Sequence, residues 1–245
     1  MKKEFVFGIH PVLEALHSGQ EIDKILIQKT GQSEHLQEIL QIARSRHLPV
    51  QKVPPEKLKR VTAKNHQGVI AFISAITFAS LDNVIQSSYQ RGNDPLLIMC
   101  DQITDVRNLG AIARTAECAG FQALVVPATG SAQLNNDAVK TSAGALAYLP
   151  ICRDKSLAYA AGFIADNGIK LIAVTEKSNK SIYDTDLSGP LCLLLGSEDK
   201  GISQPLLAKC HNQVSIPMYG QISSLNVSVA AALAMYEAVR QRTIS

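Results

Sequence analysis

Four apolar runs recur through the later part of the chain: Leu96-Leu97-Ile98-Met99, Ala123-Leu124-Val125-Val126, Leu171-Ile172-Ala173-Val174 and Leu191-Cys192-Leu193-Leu194-Leu195. A strand with one wet face alternates apolar and polar residues. A strand apolar at every position is buried on both faces, which is the condition of a parallel sheet covered by helices on each side. The segments between the runs carry helical spacing, over 109–119, 135–143, 155–166, a short stretch after Ser203, and from Asn226 to about Arg240. Adding Lys170 ahead of the third run, a short Leu149-Pro150-Ile151 segment and a last strand at Val214-Ser215-Ile216 completes the pattern. An α/β domain is predicted, built on a mostly parallel sheet with helices on both faces.

The front of the chain has a different texture and predicts a small α/β domain over residues 1–76. Phe5 to Gly8 reads as a strand or turn, Pro11 to His17 as a short helix, and Lys24 to Gln28 as a strand. A helix follows from Ser33 to Arg46, with Leu36, Ile39, Leu40 and Ala43 on one face behind a Ser33 N-cap. Val50–Val53 and Val69–Ile73 supply further strands, flanking a polar, basic loop over 60–68. Weak periodicity from 77 to 93, ending in Gln90-Arg91-Gly92-Asn93-Asp94-Pro95, marks a linker, and residues 94–245 form the second domain. Charge is uneven: residues 1–76 carry eleven Lys/Arg against seven Asp/Glu, and residues 77–245 thirteen against fourteen. That asymmetry turns the front domain toward phosphate.

Several classes are excluded. The five cysteines never approach CxxC spacing, so neither a disulfide framework nor a zinc site is expected, and no other metal-ligand cluster stands out. No apolar run reaches membrane-spanning length and the first residues do not form a signal peptide, which points to a cytoplasmic protein away from membranes. The fifteen glycines include no GxG pair, removing the dinucleotide fingerprint and the P-loop, and there is no GxSxG elbow. The sheet must therefore hold any ligand in another way.

Two strand ends and one helix carry the candidate chemistry. Leu191–Leu195 stops at Gly196 and continues as Ser197-Glu198-Asp199-Lys200-Gly201, where main-chain groups run out of ladder partners and a glycine lets a ligand approach. Ile216-Pro217-Met218 leads to Ser223-Ser224-Leu225-Asn226 at the start of an Ala-rich helix. Either segment alone is explained by turn conformation and N-capping. Asn108-Leu109-Gly110-Ala111-Ile112-Ala113-Arg114 adds one arginine to a small-residue helix; Glu117 offers it an ion-pair partner, and its chemical use is bidentate phosphate recognition.

In this order the three motifs resemble the signature of the SpoU (TrmH) class of RNA ribose 2′-O-methyltransferases in the SPOUT superfamily. Phe7-Gly8-Ile9-His10-Pro11-Val12 and Asn65-His66-Gln67-Gly68 resemble the RNA-binding domain of its ribosomal subfamily, and the runs Ser131-Ala132-Gln133-Leu134-Asn135, Ile216-Pro217-Met218 and Ser223 to Ala230 resemble the members that methylate a 23S guanosine, so the resemblance spans the chain. It implies a deep trefoil knot in the C-terminal sheet and an S-adenosylmethionine cofactor held through the backbone of Gly196, Ile216 and Leu225. It also implies catalytic positions at Asn108, Arg114, Glu198, Ser224 and Asn226, a homodimer, no metal, and a guanosine of large-subunit (23S) ribosomal RNA as target. Arginine stays protonated in proteins and is a poor base, so Arg114 is read as gripping the phosphate beside the target ribose. A transfer-RNA substrate, or a non-catalytic assembly factor on the same scaffold, are the alternatives.

Overall fold

The computed structural model of the chain describes residues 5–29, 34–46, 48–132, 134 and 136–244, and forms two compact units, 1–77 and 78–245. In the first, β1 (Phe5–Phe7), β2 (Ile22–Gln28), β3 (Val50–Val53) and β4 (Val69–Ile73) make a sheet in the order β1-β4-β2-β3, with only the β2–β3 pair parallel. Period-two alternation decides which helix covers which face. Ile25, Ile27, Val69 and Ala71 pack beneath α1 (Ile9–His17) and α2 (Glu34–Ser45), while Leu26, Ile70 and Phe72 on the other face pack with Leu58 of α3 (Pro55–Val61). The expected cap at Ser33 lies outside the described residues.

Two differences from expectation arise here. Helix α1 begins at Ile9 rather than Pro11, because Pro11 sits in the first turn, where its missing N–H is harmless. Residues 55–61, partly expected as loop, form α3, whose single buried residue, Leu58, leaves no periodicity to read; only Pro55 at the first helical position announced it.

The second unit is a seven-stranded sheet in the order β11-β9-β10-β6-β7-β8-β5, with every ladder parallel. Its strands are β5 (Phe78–Ala79), β6 (Leu96–Cys100), β7 (Ala123–Pro127), β8 (Ile151–Asp154), β9 (Lys170–Val174), β10 (Leu191–Leu195) and β11 (Asn212–Val214). Its helices are α4 (Leu81–Gln90), α5 (Val106–Cys118), α6 (Asn136–Thr141), α7 (Leu157–Asp166), α8 (Gln204–Leu207) and α9 (Val227–Ile244). The expected linker 77–93 is therefore corrected. Its residues 78–79 pair with β8 at the sheet edge, and α4, capped by the Ser80 hydroxyl, buries Ile85 in the core. Strand β11 ends at Val214 rather than running to Ile216, and the expected start of α6 at Asn135 lies outside the described residues.

The four apolar runs are the central strands, and Leu97, Leu124, Leu171 and Leu193 are all fully buried. From β6 the chain winds outward through β7 and β8, then crosses to β9 and returns as β10 beside β6. The winding direction reverses there, and such reversals open a crevice beyond the carboxyl ends of the strands. Helix α5 packs on α9, and Leu109, Ile112, Ala113 and Ala116 of the first and Ala231, Ala234, Met235 and Ala238 of the second are all buried. Gly110 permits a second close approach: a Cβ there would stand 2.9 Å from Cβ of Thr141.

Candidate functional site

A cleft of about 320 Å³ opens beyond the carboxyl ends of β9, β10 and β11, at the lower end of the range of about 300–1,000 Å³ usual for small-molecule pockets. Gly196, Glu198, Ile216, Ser224 and Leu225 all line it, so five of the eight positions singled out in the sequence share one wall system. Leu195, Ile202 and Val227 give it an apolar floor, and Glu176, Glu198 and Asp199 give it acidic groups.

The segment Ile216 to Leu225 has an unusual main chain. It is neither helix nor strand, and among the described residues none of its groups is hydrogen-bonded within the protein. It is tethered at both ends instead: Ser215 N–H donates to the Lys180 carbonyl at 2.8 Å, and Asn226 is held as described below. Main-chain donors and acceptors facing a cleft without internal partners are free to bind a ligand.

Gly196 has a reason of its own. A Cβ at this position would lie 2.1 Å from the carbonyl carbon of Gly201 and 2.3 Å from the Ile202 nitrogen, so the loop 197–202 folds back directly over it. Gly201 N–H donates to the Ser197 carbonyl at 2.8 Å, and Gly201 sits at φ +70°, where glycine is favoured. The expectation that Gly196 opens space for a ligand is thereby joined by a plainer requirement. The loop that forms the cleft wall cannot close over any other residue.

Glu198, Asn108 and Asn226 meet although they come from three separate motifs. The Asn226 Nδ2 group donates to Glu198 Oε1 at 2.7 Å and to Asn108 Oδ1 at 3.1 Å, and Asn108 Nδ2 donates to the same Glu198 oxygen at 3.2 Å. The Val227 N–H adds a third contact to that carboxylate at 3.3 Å, which puts the negative charge at the N-terminus of α9, where the helix dipole favours it. Asn226 Oδ1 accepts from the Ser228 N–H and hydroxyl at 3.0 and 2.6 Å, fixing the amide's orientation. Asn108 is placed by its own helix start. The Asp105 carboxylate accepts from the N–H groups of Arg107 and Asn108, and its bonds with the Arg107 main chain and guanidinium hold its pKa below the usual carboxylate range.

Arg114 does not join this network. It is exposed on α5, about 9 Å along the helix axis from Asn108, and makes no hydrogen bond or ion pair among the described residues. Glu117, its expected partner, does not pair with it. Sequence reasoning missed the third wall, Val174 to Lys177 at the end of β9, and it missed Ser228, which locks Asn226. The end of the apolar run at Val174 was the available signal for the first, since every parallel strand end borders the crevice. Among the described residues no group of His, Cys, Asp and Glu could hold a metal ion, and no helix is long and apolar enough to cross a membrane.

This geometry has close relatives. Residues 95–236 match the model of the SpoU rRNA methylase family, and residues 5–79 match the model described as RNA 2′-O ribose methyltransferase substrate binding. A Staphylococcus saprophyticus protein, provisionally named a TrmH family tRNA/rRNA methyltransferase, is 36% identical over 244 residues, covering 99% of this chain and 97% of its own length. YacO of Bacillus subtilis, named in the same provisional way, is 31% identical over 239 residues, covering 98% of this chain and 96% of its own. Among solved structures, the SpoU methyltransferase AviRb of Streptomyces viridochromogenes, in complex with AdoMet, superposes with a TM-score of 0.63 at 28% identity, covering 98% of this chain and 91% of AviRb. The chain belongs to the SpoU (TrmH) class of RNA ribose methyltransferases.

Proposed function

We propose that the protein uses S-adenosylmethionine to methylate the 2′-hydroxyl of a guanosine ribose in 23S ribosomal RNA. The observation that carries this reading is the Asn108–Glu198–Asn226 network, which draws three motifs up to 118 positions apart onto the rim of one cleft. The cleft fits the cofactor: apolar side chains of Leu195, Ile216 and Leu225 suit an adenine, unpaired main-chain groups from Ile216 to Leu225 suit its polar edges, and Glu176, Glu198 and Asp199 suit a positive sulfonium. The AdoMet bound to AviRb supports the same assignment. When bound, the cofactor supplies a methyl group on an already activated leaving group, so the protein's work is alignment and charge control.

Asn108, Glu198 and Asn226 would orient the ribose at the cleft rim, with the exposed Ser224 hydroxyl beside them. Arg114, having no internal partner, is free to take the phosphate next to the target ribose in a two-pronged contact and so stabilise negative charge developing on the 2′-oxygen. The hydroxyl proton then passes to phosphate or water, because the guanidinium stays protonated. This region would be tied in the family's trefoil knot, in a protein acting in the cytoplasm.

A homodimer is part of the proposal. Helix α9 buries Ala231, Ala234, Met235 and Ala238 on one side yet leaves Val229, Leu233 and Tyr236 at 46%, 41% and 51% exposure on another. A helix apolar on both faces is normally covered on both. Light scattering at micromolar concentration should give the dimer mass, and a monomer would remove this element.

The deciding experiment maps 2′-O-methyl groups on 23S ribosomal RNA and on transfer RNA from cells with and without the protein. Loss of one large-subunit site is expected. Loss of a transfer-RNA site instead would move the substrate, and no change in either RNA, together with no S-adenosylmethionine binding by calorimetry, would favour the non-catalytic assembly factor.

A further inference from the structure

The surplus positive charge of the first 76 residues is confined to one short stretch. Between Gln51 and Gly68 the chain carries Lys52, Lys57, Lys59, Arg60 and Lys64 against a single acid, Glu56; the remaining residues of that domain hold six cations and six acids and so balance. All five cations are exposed, on the edge strand β3, on α3 and on the turn after it, and none forms an ion pair among the described residues. Lys57 has one neutral neighbour, the Gln51 side-chain oxygen at 3.4 Å.

Helix electrostatics explains part of this arrangement. Lys59 and Arg60 fall in the last turn of α3, where the dipole favours cations, and Glu56 in the first, where it favours an acid. That account does not reach Lys52, Lys57 or Lys64. The other face of the sheet is mixed: α1 and α2 display Glu14, Glu34 and Glu38 beside Arg44, and Glu38 is engaged with His17 and His35. Lys57, Lys59 and Arg60 thus stand on the α3 side with Lys64 in the turn that follows, whereas Lys52, in register with Ile27, falls on the α1–α2 face of the edge strand.

The turn that ends the stretch is rigid. Gln67 adopts φ 49°, its N–H donates to the Asn65 side chain, and the Gly68 N–H donates to His66 Nδ1. Gln67 Oε1 in turn accepts from the Ile9 N–H at 2.9 Å, capping the start of α1. The two N-terminal motifs separated by 58 positions are therefore joined by a hydrogen bond, and Lys64, whose N–H donates to the Thr62 hydroxyl at 3.3 Å, stands at the start of that turn.

We infer that the α3 surface, centred on Lys57, Lys59, Arg60 and Lys64, is the face on which this domain grips the phosphate backbone of the RNA substrate. This rests on the reading of the chain as an RNA methyltransferase and narrows substrate binding from a whole domain to one side of it. Unpaired, exposed cations on a short rigid frame bind phosphate through counterion release and without reading sequence, which leaves choice of nucleotide to the catalytic domain.

The test uses the full-length protein, an in vitro transcript of 23S ribosomal RNA, and filter binding over 50–200 mM KCl. The variant Lys57→Gln/Lys59→Gln/Arg60→Gln keeps Leu58 and helix-compatible side chains, and a control neutralises Arg44, Arg91 and Lys209 instead. With about 0.7–0.9 counterions released per phosphate contact, the first variant should flatten the salt slope by about 2 and weaken binding on the order of 10–100-fold near 0.1 M salt. The control should stay close to wild type. A slope equal to wild type in a variant that still binds S-adenosylmethionine and keeps its circular dichroism overturns the assignment, as does an equal loss in the control; an acidic protein partner would then be the candidate occupant. If wild type transfers no methyl group to any RNA yet the variant's slope still falls, the catalytic reading fails while the surface stands.

Discussion

Two glycines in the loop 196–201 should respond to alanine in opposite ways. At Gly201 nothing lies within 4 Å of an added Cβ, so the only strain is the backbone's φ of +70°. Alanine there should cost about 1–2 kcal/mol, the usual penalty for an L-residue in the left-handed region, and asparagine, which tolerates that region, should recover part of it. At Gly196 the obstacle is contact. The new Cβ would stand 2.1 Å from main-chain carbon of Gly201, whereas ordinary contact begins at 3.4 Å, so the loop must retreat by about 1.3 Å. Because the obstructing atoms are backbone on both sides, no rotamer change relieves them. The Ser197–Gly201 hydrogen bond and the position of Glu198 move with the loop. Displacements near 1 Å at a site cost on the order of 100-fold in function, so Gly196→Ala should lose cofactor affinity by about that factor. Its core strand β10 remains intact, and thermal unfolding should still be cooperative. Calorimetric titration with S-adenosylmethionine on both variants, each checked by thermal denaturation, reads the contrast. Wild-type cofactor affinity in Gly196→Ala would refute the reasoning, and so would a larger loss at Gly201 than at Gly196.

Three further outcomes are expected. Asn108→Ala and Asn226→Ala, alone and together in urea unfolding, should show a coupling of about 0.5–1.5 kcal/mol through their shared carboxylate; strict additivity would mean that the network does not exist in solution. Arg114→Ala should abolish methyl transfer while changing stability by less than about 0.5 kcal/mol, as befits an exposed side chain without partners, and leaving cofactor affinity within a few-fold; an equal loss of affinity would end the division of labour between Arg114 and the cleft. Burial pushes the Cys152 thiol up to about 12 and the half-buried Cys210 thiol up to about 11. The folded state therefore favours the protonated thiol, and the associated stability is intact below the unfolded thiol's pKa of about 8.5 and is lost as pH rises from there toward about 12. Urea midpoints at pH 7.5, 9 and 10 should fall in that order, with exposed Cys118 the fastest to react with a disulfide reagent at neutral pH; a flat midpoint would contradict the burial.

What the sequence makes legible and what it hides divide along a physical line. The sheet was readable because a strand buried on both faces must be apolar at every position, and Leu191–Leu195 or Leu96–Met99 can satisfy that requirement only in the middle of a covered parallel sheet. Helix α4 was not readable as part of that sheet's cover. Its inward stripe is short and mixed, with Ile85 and Ser88 buried and Leu81 and Val84 only partly so, and beside the polar residues around it the stretch passes for a linker. Helix α3 hid for the same reason. The lesson extends to boundaries: α5 begins three residues before the predicted start because the Asp105 side chain, and no change in hydrophobicity, sets its first turn.

For the site, residue type and order pointed to several groups that the fold gathers around one cleft, but what holds each of them there came from contacts that no local pattern contains. Glu198 near a helix start was dismissible as a favourable charge at its own turn; in the fold it serves the N-terminus of a different helix, α9, and two amides as well. Gly196 looked like an opening for a ligand, and the fold adds a second need for it, room for the protein's own backbone at Gly201. The stretch Ile216 to Leu225 carries the opposite lesson. Its composition is that of an ordinary loop, and only the fold reveals that its main-chain groups lack internal partners while its two ends are pinned, one to Lys180 and the other to Glu198. A loop fixed at its ends and unsatisfied between them gains order from whatever ligand supplies those missing bonds. Glu198 therefore has two connected tasks: it holds the amides of Asn108 and Asn226, and through Asn226 and Val227 it sets one end of the unsatisfied segment. On the proposed function, cofactor and substrate sites would meet at that single carboxylate.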